Sequence, residues 1–374
     1  MIINKLKKAA LSYYLNFGGW KTDREIVVIE SDDWGSIRMP SKETYDSLLK
    51  FGIPVNKCHY NRFDSLATEE DLMALFDVLT RHKDHKGNFP VFTANCVVAN
   101  PDFKKIKASD FKEYHYELFT ETLKKYPGCE NSFKLWREGF QEKIFVPQFH
   151  GREHLNVHRW LKALESGSEE TLQSCKRNMF GLSTNISREK RKSYMAAFDF
   201  DDIAELEIQK EIIAEGLRIF KQLFEYESKS FIAPNYVWHR SLEPTLAKNG
   251  VKYIQGAGYQ REPNGKNLSV VHHRFGEVNS DGQIYLNRNC SFEPAASNGS
   301  EVGKTINEIK KAFALKKPAV IVSHRVNYMG AIEKENRKSG LAQLDELLGK
   351  ILKSWPDVEF MSSDMLGDLI SKKK

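Results

Sequence analysis

Two short polar constellations in this chain each follow an apolar, strand-like run. Glu30-Ser31-Asp32-Asp33-Trp34-Gly35 comes after Ile26-Val27-Val28-Ile29, and His150-Gly151-Arg152-Glu153-His154 comes after Ile144-Phe145-Val146-Pro147-Gln148-Phe149. Two carboxylates and two imidazoles are donors that a zinc-type ion accepts, and together they leave one aspartate over as a base. Adjacent aspartates at the end of a buried strand raise each other's pKa, so a cation that neutralises one gives the pair a chemical purpose. His150 and His154 are four apart, which on a helical turn would put both rings on one side. His324 ends the run Ala319-Val320-Ile321-Val322-Ser323. A histidine there is placed to act as general acid toward a leaving group.

These residues need a scaffold, and the pattern of the chain supplies one. Apolar, β-branched runs predict strands over 25–30, 90–97, 143–149, 229–233, 251–255, 283–288, 318–323 and 358–361. Helical periodicity lies between them. Thr68-Glu69-Glu70-Asp71 opens a helix carrying Leu72, Leu75, Phe76 and Leu79 on one face. The stretch 202–225 places Ile203, Leu206, Ile213, Leu217, Phe220 and Phe224 together, and Leu341, Leu344, Leu347, Leu348 and Leu352 mark a later helix. Gly250 reads as a helix C-cap. Alternating strand and helix predicts an α/β architecture with a parallel sheet, either a barrel or a doubly wound sheet. Ligands collect at the carboxyl ends of strands in both, and Asp32-Asp33, His150, Pro234-Asn235 and His324 each stand at such an end. Residues 36–88 and 98–142 read as helix-rich insertions, and 257–300 as loops with a few antiparallel strands. The chain is treated as one elaborated domain spanning 1–374.

Composition excludes other classes. The net charge is +6, from 56 basic and 50 acidic residues that are interspersed along the chain, which is no nucleic-acid signature. The cysteines at 58, 96, 129, 175 and 290 lack C-x-x-C spacing, so neither a disulfide framework nor a cysteine zinc site is expected. Reduced thiols and the lack of a signal-peptide pattern lead to an expected cytoplasmic location. The basic, partly apolar N-terminus could form an amphipathic helix on a membrane surface. Nothing approaches the roughly 20 apolar residues needed to span a bilayer. Gly299-Ser-Glu-Val-Gly303-Lys304-Thr305 is one residue short of a phosphate loop and lacks a strand before it.

The motifs resemble those of the polysaccharide deacetylase family, the carbohydrate esterases that share the nodulation-factor deacetylase domain. The likeness spans about residues 25 to 330. Glu30-Ser31-Asp32-Asp33-Trp34-Gly35 is similar to the family's Thr-Phe-Asp-Asp-Gly, with Trp34 inserted, and His150-Gly-Arg-Glu-His154 to its His-Ser/Thr-x-x-His. Phe231-Ile232-Ala233-Pro234-Asn235 is similar to Arg-x-Pro-Tyr, and Val322-Ser323-His324 to the last motif. The resemblance implies a distorted (β/α) barrel of the glycoside hydrolase/deacetylase type. It implies Asp32 as general base, Asp33, His150 and His154 as metal ligands, and His324 as catalytic acid. The family's third-motif arginine and tyrosine are Ile232 and Asn235 here, and no Asp-x-x-x-Asp-Trp motif is found. Arg152, Arg288 and Arg325 are the candidates for the missing positive charge.

The expected activity is metal-dependent removal of an acyl group, acetyl above all, from a sugar amine or hydroxyl of a polysaccharide or its precursor. The expected ion is Zn²⁺, with Co²⁺, Ni²⁺ or Mn²⁺ as substitutes. Asn235 with Pro234 would serve the oxyanion, Trp34, Tyr236 and Trp238 a sugar ring, and Arg152 the substrate. Three alternatives stay open. One is a different metal-dependent carbon–nitrogen amidohydrolase. Another is a peptidase of the inverted-zinc type, since His150-Gly-Arg-Glu153-His154 also satisfies H-x-x-E-H, with Glu205, Glu211 or Glu215 as third ligand. The last is a catalytically impaired glycan-binding protein.

Overall fold

The computed structural model describes residues 18–297 and 299–372; the N-terminal stretch considered for membrane contact lies outside them. The nine predominantly buried strands that carry the core form one all-parallel sheet. They are β1 (Ile26–Trp34), β2 (Phe92–Cys96), β5 (Phe145–Phe149), β6 (Ser230–Ile232), β7 (Tyr253–Gly256), β10 (Ile284–Asn287), β11 (Cys290–Ser291), β12 (Ala319–His324) and β13 (Glu359–Met361). Two antiparallel ribbons stand apart, β3 (Ala99–Pro101) with β4 (Tyr116–Leu118), and β8 (Tyr259–Pro263) with β9 (Leu268–His272). The order across the large sheet is β10-β7-β6-β5-β2-β1-β12-β11, with β13 beside the start of β1. All eight predicted strands are present, and β11 is added between the sixth and the seventh.

The two edges of this order, β10 and β11, are separated in the chain by Arg288 and Asn289 alone. Arg288 N–H donates to the Gly256 carbonyl at 2.7 Å, and Asn289 N–H donates to the Val320 carbonyl at 3.0 Å. This residue pair therefore ties one edge to the other and closes the sheet into a distorted barrel.

Helices cover the outside because parallel strands need long crossovers. Glu69–Thr80 opens on the predicted capping box, with Thr68 accepting from the Asp71 N–H and the Asp71 carboxylate accepting from the Thr68 N–H. Its Leu72, Leu75 and Leu79 enter the main core. This helix lies in the segment 36–88, between β1 and β2. The helix predicted from 202 starts at Glu205, leaving Ile203 ahead of it and 64% exposed. The barrel also extends past residue 330, through the helix Lys334–Ser354, β13 and the helix Ser363–Ser371. No helix among the described residues is long and apolar enough to cross a membrane.

Strand alternation divides the interior into layers. Ile26 and Val28 face a small apolar plug formed with Tyr253, Leu286, Val320, Leu366 and Ile370. The next residue on that face is Glu30, which accepts hydrogen bonds from Ser363 Oγ at 2.6 Å and Arg288 Nε at 2.6 Å. Asp32 lies above it. The barrel is therefore apolar at one end and charged toward the other.

Gly340 fixes one wall of the charged end. It lies in the helix Lys334–Ser354, where an added Cβ would fall 1.8 Å from the backbone oxygen of Asn327, in the turn that follows His324. Gly340→Ala is expected to destabilise the protein by at least about 1–3 kcal/mol through overpacking, measured as a lowered urea midpoint with unchanged slope.

Candidate metal centre

The landmarks from four strands meet around one cavity of about 440 Å³, lined by Asp32, Asp33, His150, His154, Asn235, Tyr236 and His324 among others. Such a volume suits a small ligand. The register sets Asp32 opposite His324.

Asp32 and Asp33 reach the cavity from within β1. Strict alternation would send them to opposite faces. Instead the pairing of β1 with β2 slips between Ser31 and Trp34, and Asp33 takes φ +74°. This bulge turns the second carboxylate back toward the first, and aspartate tolerates the left-handed conformation better than most residues. The histidine pair converges by a different route from the one expected. Residues 150–156 form a loop, and the helix begins only at Val157 with Asn156 as its N-cap.

Asp33, His150 and His154 are all buried, with one potential ligand atom from each lying within 4.8 Å of the others. Asp33 Oδ1 is 3.1 Å from His154 Nε2 and 3.6 Å from His150 Nε2. His150 Nδ1 stands 2.9 Å from the Ile232 carbonyl. A carbonyl only accepts, so Nδ1 carries the hydrogen and Nε2 is the ring nitrogen turned toward Asp33. That Nε2 is buried without a hydrogen-bond partner, as is His154 Nδ1. Burial lowers the His154 pKa to about 4 and keeps its ring neutral. Burial works against ionising Asp33, yet Arg38 and the facing histidines hold it well below the usual carboxylate range. An ionised carboxylate, the neutral imidazole of His154 and the unsatisfied buried Nε2 of His150 fit a divalent ion.

Asp32 is prepared differently. Arg288 grips it with both ends of the guanidinium, Nη1 to Oδ2 at 2.7 Å and Nη2 to Oδ1 at 2.6 Å, and Asn95 donates to Oδ1 at 2.8 Å. Burial alone would raise its pKa; the Arg288 charge and hydrogen bonds overcome that and hold it at about 2. His324 lies on the other side, with Nε2 3.8 Å from Asp32 Oδ2. Its Nδ1 meets Glu293 Oε1 at 2.5 Å, and Asn327 donates to Glu293 Oε2 at 2.8 Å. Burial would lower the His324 pKa; the Glu293 charge and hydrogen bond reverse this and push it up to about 9. At neutral pH the cavity holds an ionised Asp32 beside a protonated His324.

Of the three arginines considered for the missing positive charge, Arg288 is the one that meets Asp32. Arg325 is fully buried against Asp64, with Nε to Oδ1 at 2.9 Å. Arg152 pairs with Glu153 at 2.7 Å and Glu215 at 2.5 Å and does not line the cavity, so its expected contact with substrate is corrected. Glu153 also accepts from Tyr114 Oη at 3.0 Å. With Glu153 occupied in this way and no helix through residues 150–154, the peptidase geometry is absent. Trp34 and Trp238 are corrected as well. Trp34 bonds Ser31 Oγ at 3.0 Å and packs edge-on against Phe145, while Trp238 bonds Glu243 at 3.0 Å. Both indoles are inside the core and offer no sugar platform. Pro234 is buried beneath the turn, whereas Asn235 and Tyr236, at φ +58° and +57°, face the cavity.

Arg38 and Glu293 escape the sequence reading. Arg38 Nη2 donates to Asp33 Oδ2 at 3.0 Å, so Oδ1 is the oxygen left toward the histidines. Neither residue belongs to a motif: Arg38 reaches Asp33 from five positions further on, past the bulged end of β1, and Glu293 reaches His324 across 31 positions.

No family model and no curated protein matches the sequence. Solved structures do match in shape. A protein described as a glycoside hydrolase/deacetylase, from Parabacteroides distasonis, aligns over 95% of this chain and 72% of its own, with 8% identity and a TM-score of 0.51. One described as a polysaccharide deacetylase, from Pseudomonas aeruginosa, aligns over 92% and 91%, with 10% identity and a TM-score of 0.43. The 4-alpha-glucanotransferase of Thermococcus litoralis aligns over 91% of this chain, which spans only 40% of that protein, with 10% identity and a TM-score of 0.43. The first of these similarities carries the comparison: the chain has the distorted parallel barrel of the glycoside hydrolase/deacetylase type.

Proposed function

We propose that this protein is a metal-dependent hydrolase that removes an acyl group, in the first instance acetyl, from an amino sugar or sugar hydroxyl of a polysaccharide or its precursor. The observation that carries this reading is the joint arrangement in one cavity. A buried Asp33–His150–His154 donor set stands beside an arginine-held Asp32 and a glutamate-held His324. Asp33, His150 and His154 would hold the ion, Zn²⁺ first among candidates by donor type. When bound it would supply Lewis acidity for an acyl carbonyl and for water.

The remaining steps belong to the chain. Asp32 is ionised and accepts the proton of the attacking water. Its low proton affinity means that it holds this proton only in passing. His324 donates from Nε2 to the departing nitrogen or oxygen while Glu293 stabilises its charge from Nδ1. The proton left on Asp32 can then restore His324, 3.8 Å away. Asn235 and Tyr236 shape the wall against which the acyl group would lie.

Three measurements test this reading. Equilibrium dialysis against Zn²⁺ is expected to give one bound ion in the wild type and none in the double variant His150→Ala/His154→Ala. At a free concentration near 100 times Kd, the ion should stabilise only the wild type, by about 2.7 kcal/mol. Asp32→Asn should retain the ion yet lose roughly 10²–10⁴ in the rate of acetate release, whereas Glu153→Gln, the decisive variant for a peptidase, should keep turning over. The pH profile gives the third. His324 faces Glu293, Asp32 and the ring of Tyr60 and feels the charge of Asp33. Its pKa is raised, so the acid form persists below about 9 and is lost above it. In Glu293→Gln burial dominates, and the alkaline limb of kcat/KM should move to lower pH; an unmoved limb would remove His324 as the acid.

A further inference from the structure

The hairpin β8–β9 forms one lip of the cavity, contributing Tyr259 and Arg261 to its lining. Its placement is firm at the base. The buried Gln260 donates to the Trp238 carbonyl at 2.8 Å and meets His273 Nε2 at 2.9 Å, and Trp238 N–H donates to the Arg261 carbonyl at 3.3 Å. Strand alternation then turns Gln260 into the protein and directs Tyr259 and Arg261 the other way, onto the cavity.

Charge makes Arg261 distinctive. The other cationic groups lining the cavity are already matched, Arg38 to Asp33 at 3.0 Å and His324 to Glu293 at 2.5 Å. The next acid along the hairpin, Glu262, lies on the opposite face, where it receives Arg240 at 2.7 Å. Arg261 is exposed and forms no ion pair among the described residues. Its guanidinium stands 5.8 Å from the ring of Tyr259, which in turn packs 5.7 Å from the ring of Tyr236. An unmatched guanidinium beside two tyrosines suits a sugar ring that carries an anion, because the rings offer apolar area and the fork binds oxyanions in pairs.

The geometry points to a subsite for an anionic group, carboxylate or phosphate, attached next to the sugar unit that loses its acyl group, with Arg261 as the specificity-determining residue. This subsite rests on the hydrolase reading for the position of the acyl group and on Arg261 alone for the preference. It makes the preferred substrate an acidic acylated glycan or a phosphate-linked precursor rather than a neutral one.

The test compares wild type, Arg261→Gln and Arg261→Glu, all zinc-loaded, on three probes: neutral N-acetylchitotetraose, a hyaluronan tetrasaccharide bearing carboxylates, and UDP-N-acetylglucosamine bearing phosphates. Calorimetry gives Kd and acetate release gives kcat/KM. The wild type should bind at least one anionic probe more tightly than the neutral one, and which of the two it prefers identifies the anion. Arg261→Gln should reduce that preference roughly tenfold, Arg261→Glu should reduce it further, and the difference should shrink with added salt. Equal preferences in the three proteins, or no tighter binding of either anionic probe by the wild type, would overturn the subsite. Arginine-dependent binding without acetate release from any probe would leave the subsite standing and remove the hydrolase reading. Acetate release indifferent to Arg261 would do the reverse.

Discussion

The guanidinium of Arg288 lies where the two edges of the sheet meet, beneath the charged end of the barrel. Two carboxylates from one face of β1, Glu30 and Asp32, converge on it, with contacts of 2.6 Å to each. Both acids are buried, and two neighbouring buried carboxylates cannot both stay charged without a cation between them. The effect is uneven. Asp32, held by both ends of the fork, falls to about 2, whereas Glu30, held through Nε, stays raised by its burial. The backbone of the same residue pairs with β7, and that of Asn289 pairs with β12, so closure of the barrel and ionisation of Asp32 depend on one short segment.

A second set of charges surrounds Asp33. Arg325 pairs with Asp64, Arg38 lies 3.7 Å from Asp64 and 3.0 Å from Asp33, and Asp33 faces the two histidines. Removing one member of a buried ion pair costs about 3–5 kcal/mol, while the intact pair adds little net stability. The value of this series lies in orientation. Arg38 occupies one oxygen of Asp33 and leaves the other toward His150 and His154, just as the Ile232 carbonyl occupies one nitrogen of His150 and leaves the other. The donor set is thereby shaped by residues that do not belong to it.

The motifs were legible because they are local. Asp32-Asp33, His150, His154 and His324 announce themselves as polar residues ending apolar runs, and the runs mark all eight predicted strands. What failed was the facing of side chains. Trp34 stands next to Asp33 in sequence, yet the bulge that brings Asp33 to the cavity leaves the indole in the outer core. Trp238 follows the Asn235–Tyr236 turn by two residues and is likewise interior. The histidine pair was expected on a helical turn, and a loop accomplishes the same convergence.

By itself, the sequence determined the order of strands and helices, the strand ends at which chemistry could occur, and the residue types that suit a divalent ion. All of these follow from periodicity and propensity acting over a few residues. Only the tertiary structure decided which arginine serves Asp32, which acid serves His324, and which aromatic rings reach the cavity. Arg288 and Asp32 are 256 positions apart, and Glu293 reaches His324 across 31. Such pairings are set by barrel closure, by strand register and by one bulge, and a single residue of slip in any of them would reverse the side chains.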